Sequence, residues 1–215
     1  MRTRMVTKEE LADRLLRKFG TNEPIFTKEV IRSWKEYSRP RVFQLLKELL
    51  KDGVIARSEY GVYYFPTIML TGKRSVLSGW KITNKKFIHH GEAIFGYYSG
   101  LTLLNGLHLT TQMPFDIELV TSKTSASVRR VKVSTSFVTV HRSRVPITKK
   151  NVYALMLLET FTEMRRPLNK KEAGYIREFV ELKQIREEVV LRYAKHFPAH
   201  ALENILRIGE KNVFA

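Results

Sequence analysis

The densest run of residues able to do chemistry is "YSRPRVFQLLKELLK" (37–51), where arginines, a glutamine and lysines crowd one short segment. In a DNA major groove Arg pairs bidentately with guanine and Gln with adenine, each pairing discriminating by roughly 1–3 kcal/mol against a wrong base. Arg39, Arg41 and Gln44 are typed for base reading, and Lys47, one turn further on, suits a phosphate. Ser38, with Lys28 and the backbone amides of a preceding helix, can grip phosphate as helix N-termini do. Downstream, Arg57 and Tyr60 lie in "ARSEYGVYYF", where a small hairpin would carry them to the DNA backbone or minor groove. A merely solvated helix face, or a protein-binding module, also fits this pattern.

Other chemistries have weaker signals. "PFDIELVTSK" offers Asp116, Glu118 and Lys123, the types that hold magnesium in nucleases. Glu and Lys in such sites normally sit two apart on one strand. Here an odd separation turns them to opposite faces of a continuing strand. Residues 66–150 contain only three acids, few for a two-metal site. His196 and His200 have metal-binding helical spacing, but Pro198 lies between them and the glutamate of a zinc hydrolase motif is missing. His89 and His90 would point apart on a strand. The absence of cysteine excludes thiol nucleophiles, disulfides and Cys-ligated zinc. No phosphate loop is present, since "GYYSGLTLLNG" lacks the lysine. The reading is a binder without catalytic residues, cofactor or metal.

The elements that must position these residues follow from periodicity. Thr7 and Glu10 are spaced as a capping box, and Leu11, Leu15, Leu16 and Phe19 continue at helical spacing to Gly20. Thr27 is the expected cap of a second short helix. Ser38 is the expected cap of a third, with Pro40 in its first turn. On that helix Val42, Leu45, Leu46, Leu49 and Leu50 form one buried stripe, which turns Arg39, Arg41, Gln44, Lys47, Glu48 and Lys51 outward. Two strands joined at 59–61 follow. Three helices and a hairpin, in this order, predict a winged helix-turn-helix over residues 1–66.

From Pro66 the texture becomes that of a linker and then a strand. A short helix is expected from Ser99 to Gly106, with strands in "FDIELVTS", "VRRVKVSTS" and "FVTVHRS". Thr148 should cap the apolar helix "KKNVYALMLLETFTEM". Asn169 and Glu172 repeat the capping-box spacing, and helix continues to about residue 208 with a break at Pro198. The predicted class is α+β. The winged helix is followed by a mixed α/β domain with antiparallel strands (67–165) and a C-terminal helical region packed on it (166–215).

The hydrophobic fraction of 43% is that of a chain with a core. No apolar run approaches a membrane span, and "MRTRMVTKEEL" has no apolar signal region, so a cytoplasmic protein without membrane attachment is expected. Thirty-eight basic against 21 acidic residues leave +17, which favours polyanions. Thirteen of the basic residues and three of the acids fall in 66–150, leaving +10 there. Arg129, Arg130, Lys132, Arg142 and Arg144 cluster on and beside two of the expected strands as a second candidate surface for nucleic acid. A solvated sheet face explains any single one equally well.

The run "FGYYSGLTLLNGLHLTTQMPFDIELVTSK", then "VRRVKVSTSFVTVHRS" and "ITKKNVYALMLLETF", resembles the AbiEi family of antitoxins from type IV toxin–antitoxin systems. The similar features are Ser99, Gly100, Leu104, Gly106 and Leu107, the turn from Gln112 to Pro114, and the Arg-bearing hairpin and helix beyond it. With the N-terminal helices the resemblance covers residues 1 to about 165. It implies a winged helix that binds inverted repeats in double-stranded promoter DNA and represses its own operon. It also implies antitoxicity against a nucleotidyltransferase-like toxin without a stable complex between the two, for which Arg129, Arg130, Lys132, Arg142 and Arg144 are the candidate nucleic-acid or antitoxicity surface. The helices after Pro167 have no counterpart in the resemblance and would serve packing or a homodimer. A stand-alone winged-helix regulator with a ligand- or protein-binding second domain is the alternative, and a nuclease-type enzyme the third.

Overall fold

The computed structural model describes residues 7–35, 37–164 and 166–209, so the first six residues, which belong to the stretch read for a signal region, lie outside it. The architecture is α+β with helices at both ends. The chain divides into two compact units, residues 1–82 and 83–215.

In the first unit, α1 (Lys8–Phe19) begins at the expected capping box of Thr7 and Glu10. A two-residue strand β1 (Ile25–Phe26) leads directly into α2 (Thr27–Ser33). Thr27 is not the cap of α2. That position belongs to Phe26, whose N–H donates to the Glu29 carboxylate at 2.8 Å. Thr27 instead ties the helix to the hairpin: its N–H (2.9 Å) and hydroxyl (3.2 Å) both donate to the Gly61 carbonyl.

Next comes α3 (Arg39–Lys51), with Ser38 at its cap position. The Ser38 hydroxyl makes no capping bond; only its carbonyl serves, accepting from Val42 N–H at 3.1 Å. The hairpin β2 (Ala56–Glu59) and β3 (Val62–Tyr64) turns at Tyr60–Gly61. Gly61 has φ +78°, a conformation that glycine adopts without the steric cost of a Cβ. The sheet order is β1-β3-β2, antiparallel throughout. Leu11, Leu15, Ile25, Val30, Trp34, Val42, Leu45, Leu46, Leu49 and Ile55 form the core between helices and sheet.

Residues 67–75 are not a plain linker. Asn22 Nδ2 donates to the Thr67 hydroxyl at 2.8 Å, Tyr64 hydroxyl to Ser75 O at 3.1 Å, and Arg74 to Gly53 O at 3.0 Å. The short α4 (Gly79–Thr83) continues into a π turn, Asn84–Ile88, where the sequence suggested a strand.

The second unit opens with the hairpin β4 (His89–His90) and β5 (Ala93–Ile94), then β6 (Gly96–Tyr98) and α5 (Gly100–Gly106). Strands β7 (Ile117–Thr121), β8 (Val128–Val133) and β9 (Ser136–Arg142) complete a sheet of order β6-β7-β9-β8. This sheet is mixed rather than antiparallel. The β8–β9 hairpin folds back so that β9 runs parallel to β7, with Leu119 opposite Val140.

Helix α6 (Val152–Glu163) is capped by Asn151, not Thr148, and the Asn151 side chain accepts instead from Thr148 N–H at 2.8 Å. Then come α7 (Lys170–Leu182), opened by the predicted Asn169–Glu172 box, α8 (Glu187–Ala194) and α9 (Ala199–Gly209). One apolar cluster joins Tyr97 and Val120 of the sheet to Leu155, Leu158 and Phe161 of α6 and to Ile176, Val190 and Ala201 of the three last helices. Helices α7, α8 and α9 are therefore part of the same core as α6.

Candidate nucleic-acid interface

The apolar stripe of α3 behaves as its spacing requires. Val42, Leu45, Leu46 and Leu49 are buried, and Leu50 is half-buried at the stripe's margin. Burying each such side chain contributes about 1.5–3 kcal/mol, which fixes the helix's rotation about its axis. With that rotation set, Ser38, Arg39, Gln44, Lys47 and Lys51 are exposed and Arg41 half-buried. At 100° per residue, Gln44, Lys47 and Lys51 lie near the centre of the outward face, and Arg39 and Arg41 on its opposite flanks at the leading turn.

Charge pairing separates this face from the rest of the surface. Arg39, Arg41, Lys47, Lys51, Lys28 and Arg57 make no ion pair or side-chain hydrogen bond among the described residues. Gln44 Nε2 donates to Glu48 Oε1 at 3.1 Å, one turn along, so base reading by Gln44 requires that bond to rearrange. Phe43, 45% exposed beside these groups, was not among the sequence candidates; a ring there can meet a thymine methyl. In the hairpin, Tyr60 is 94% exposed at the turn and Arg57 is exposed on β2. Lys28, in the first turn of α2, is exposed as well.

The five cations proposed as a second surface are not brought onto one face. Arg130 is held by Asp116 through two bonds of 2.5 and 2.9 Å, and its guanidinium lies 4.0 Å from the Phe137 ring centroid. Arg129 alternates to the other side of β8, toward Phe87 at 6.0 Å. Arg142 donates to Ser125 O at 3.3 Å. Arg144 donates to Glu159 at 3.0 Å and lies over Phe197 at 4.8 Å. Lys132 is exposed and carries no ion pair among the described residues.

The groups weighed for catalysis are engaged separately. Asp116 is taken by Arg130, whose hydrogen bonds hold its carboxyl below the usual range. The Glu118 carboxylate packs against Gly100, where a Cβ would come within 2.5 Å, and lies 4.0 Å from His141. The backbone there has φ +54°, the left-handed region that favours glycine whatever the neighbouring carboxylate does. Lys123 sits 3.2 Å from the Phe95 ring centroid. His200 contacts the Thr162 carbonyl at 3.1 Å. Among the described residues no cluster of three or more His, Asp or Glu could hold a metal ion, and no helix is long and apolar enough to cross a membrane.

The second unit also has an open, largely apolar cleft of about 400 Å³, walled by Ile88, Ile94, Tyr97, Tyr98, Val152 and Met156. At its rim Lys149 pairs with Glu92. Compared with known proteins, the chain matches no family model and no curated protein.

Proposed function

We propose that residues 1–66 are a winged helix-turn-helix that binds duplex DNA, with α3 in the major groove and the β2–β3 turn as the wing. The observation that carries this reading is the cationic face of α3, which makes no ion pair among the described residues and is turned outward by four buried aliphatic side chains. Arg39, Arg41 and Gln44 read bases, while Lys47 and Lys28 meet phosphate. Arg57 and Tyr60 reach the backbone or minor groove from the wing. With the resemblance over residues 1 to about 165, the proposal extends to an autorepressor of its own operon and an antitoxin against a nucleotidyltransferase-like toxin.

Footprinting on the DNA just upstream of the gene tests the first part. A protected, symmetric site that disappears with Arg39→Ala plus Lys47→Ala is expected; protection unchanged by both substitutions removes α3 from the groove. Co-expression with the product of a neighbouring nucleotidyltransferase-like gene tests the second, the expected outcome being restored growth. A second reading, a stand-alone regulator whose second unit binds a small ligand, is favoured by the apolar cleft of about 400 Å³.

A further inference from the structure

We infer that the outward face of the β8–β9 hairpin is a stacking platform for single-stranded RNA. The inference concerns the second unit and does not depend on the duplex-DNA reading of α3.

Strand alternation sets the face. Val138 and Val140 of β9 are buried on one face of the sheet, so Phe137 and Thr139 lie on the other, and register places Lys132 opposite Phe137 and Arg130 opposite Thr139. Two phenyl rings are exposed here rather than part of either core cluster. Phe137 is 41% exposed and Phe115, just before β7, is 93% exposed. The Arg130 guanidinium lies near both, 4.0 Å from one ring centroid and 6.0 Å from the other, and is fixed there by its two bonds to Asp116. The result is an ordered ring–cation–ring array beside Lys132, which has no ion pair among the described residues, in a segment of net charge +10 over 66–150.

Exposed rings interleaved with cations suit unstacked bases and their phosphates, because every base has a π face. A duplex keeps those faces inside its stack and offers the rings nothing. Asp116 and Thr139, within 3.4 Å of each other at the middle of the array, supply oxygen acceptors. On a phosphate-binding surface these suit the 2′-hydroxyl, which DNA lacks.

The experiment uses the full chain and fluorescence anisotropy with labelled oligo-uridine of about a dozen nucleotides, oligo-thymidine of equal length and the promoter duplex. Expected are salt-sensitive binding of oligo-uridine and a loss of about tenfold for Phe115→Ala and for Phe137→Ala. Retention by Phe115→Tyr and weaker binding of oligo-thymidine complete the pattern. None of these substitutions should change duplex affinity, whereas Arg39→Ala and Lys47→Ala should weaken the duplex alone, so the two sites can fail separately. Unchanged oligo-uridine affinity in the Phe115→Ala/Phe137→Ala double variant overturns the inference, as does failure to bind it at low salt. Equal affinity for oligo-thymidine overturns the RNA assignment. Sedimentation with phosphatidylserine vesicles that depends on Phe115, in place of RNA binding, would make the face a membrane contact and overturn it too.

Discussion

Glu163, at the end of α6, should lower stability at neutral pH. Partial burial raises its carboxyl above the ordinary value, and the charges of Glu159 and Glu118 add to this. The folded state therefore holds the proton more tightly than the unfolded one. Stability from this group is complete below the unfolded value and is lost as pH rises through the folded one. Glu163→Gln should accordingly raise the melting temperature at pH 7, with the gain vanishing near pH 4; a gain that persists at pH 4 would assign the effect to packing instead. Its neighbour Glu159 is a different case, a buried carboxylate held by Arg144 at 3.0 Å and the Tyr97 hydroxyl at 3.2 Å. Removing the cation leaves that charge poorly compensated. A fully buried pair broken in this way costs about 3–5 kcal/mol, and the solvent exposure of Arg144 reduces this to roughly 2 kcal/mol for Arg144→Ala. At 2–4 °C per kcal/mol, calorimetry should show a fall of about 4–8 °C, partly recovered by adding Glu159→Leu.

Two helix starts that look alike in sequence should respond differently. Asn169 accepts from Glu172 N–H at 2.9 Å while the Glu172 carboxylate accepts from Asn169 N–H at 2.9 Å, so Asn169→Ala should cost about 1 kcal/mol. The Ser38 hydroxyl makes no such bond, and Ser38→Ala should leave the melting temperature within about 1 °C while weakening duplex binding if the hydroxyl meets phosphate. Equal losses of stability would contradict the assignment of these caps. The same contrast explains what the sequence made legible. Helices α1, α3 and α7 are set by signals within a few residues: a capping box, a proline in the first turn, a leucine stripe. What escaped depends on distant partners. Strand β1 is two residues long and exists because Ile25 pairs with Tyr63. The parallel β7–β9 pairing requires a hairpin to fold back between them, which alternation within each strand does not encode. At the candidate sites the residue types were readable, but the Arg130–Asp116 and Arg144–Glu159 pairings, 14 and 15 positions apart, were not. Phe137 carried a usable signal, since it alternates with two valines. Phe115, beside a proline turn, carried none.

Both units are strongly cationic, so charge alone does not say where a polyanion binds. Residues 1–82 hold 17 basic and 9 acidic side chains, leaving +8, and residues 83–215 hold 21 and 12, leaving +9. A charge of this size attracts any polyanion at low salt, so bare affinity is a poor test of either proposed interface. The slope with salt discriminates better, because it counts the phosphates a particular surface neutralises. With about 6 phosphate contacts on duplex DNA, log affinity should fall against log salt with a slope near −5. Lys47→Ala removes one contact and should flatten that slope by about 0.9, on every sequence alike. Arg41→Ala should instead narrow the gap between operator and unrelated duplex by roughly 1–3 kcal/mol. Lys132→Ala should leave the duplex slope untouched and flatten the slope for oligo-uridine by about 0.7, the single-strand value. If Lys47→Ala and Lys132→Ala flatten both slopes equally, the two ligands share one diffuse basic surface, and the separation into two interfaces fails.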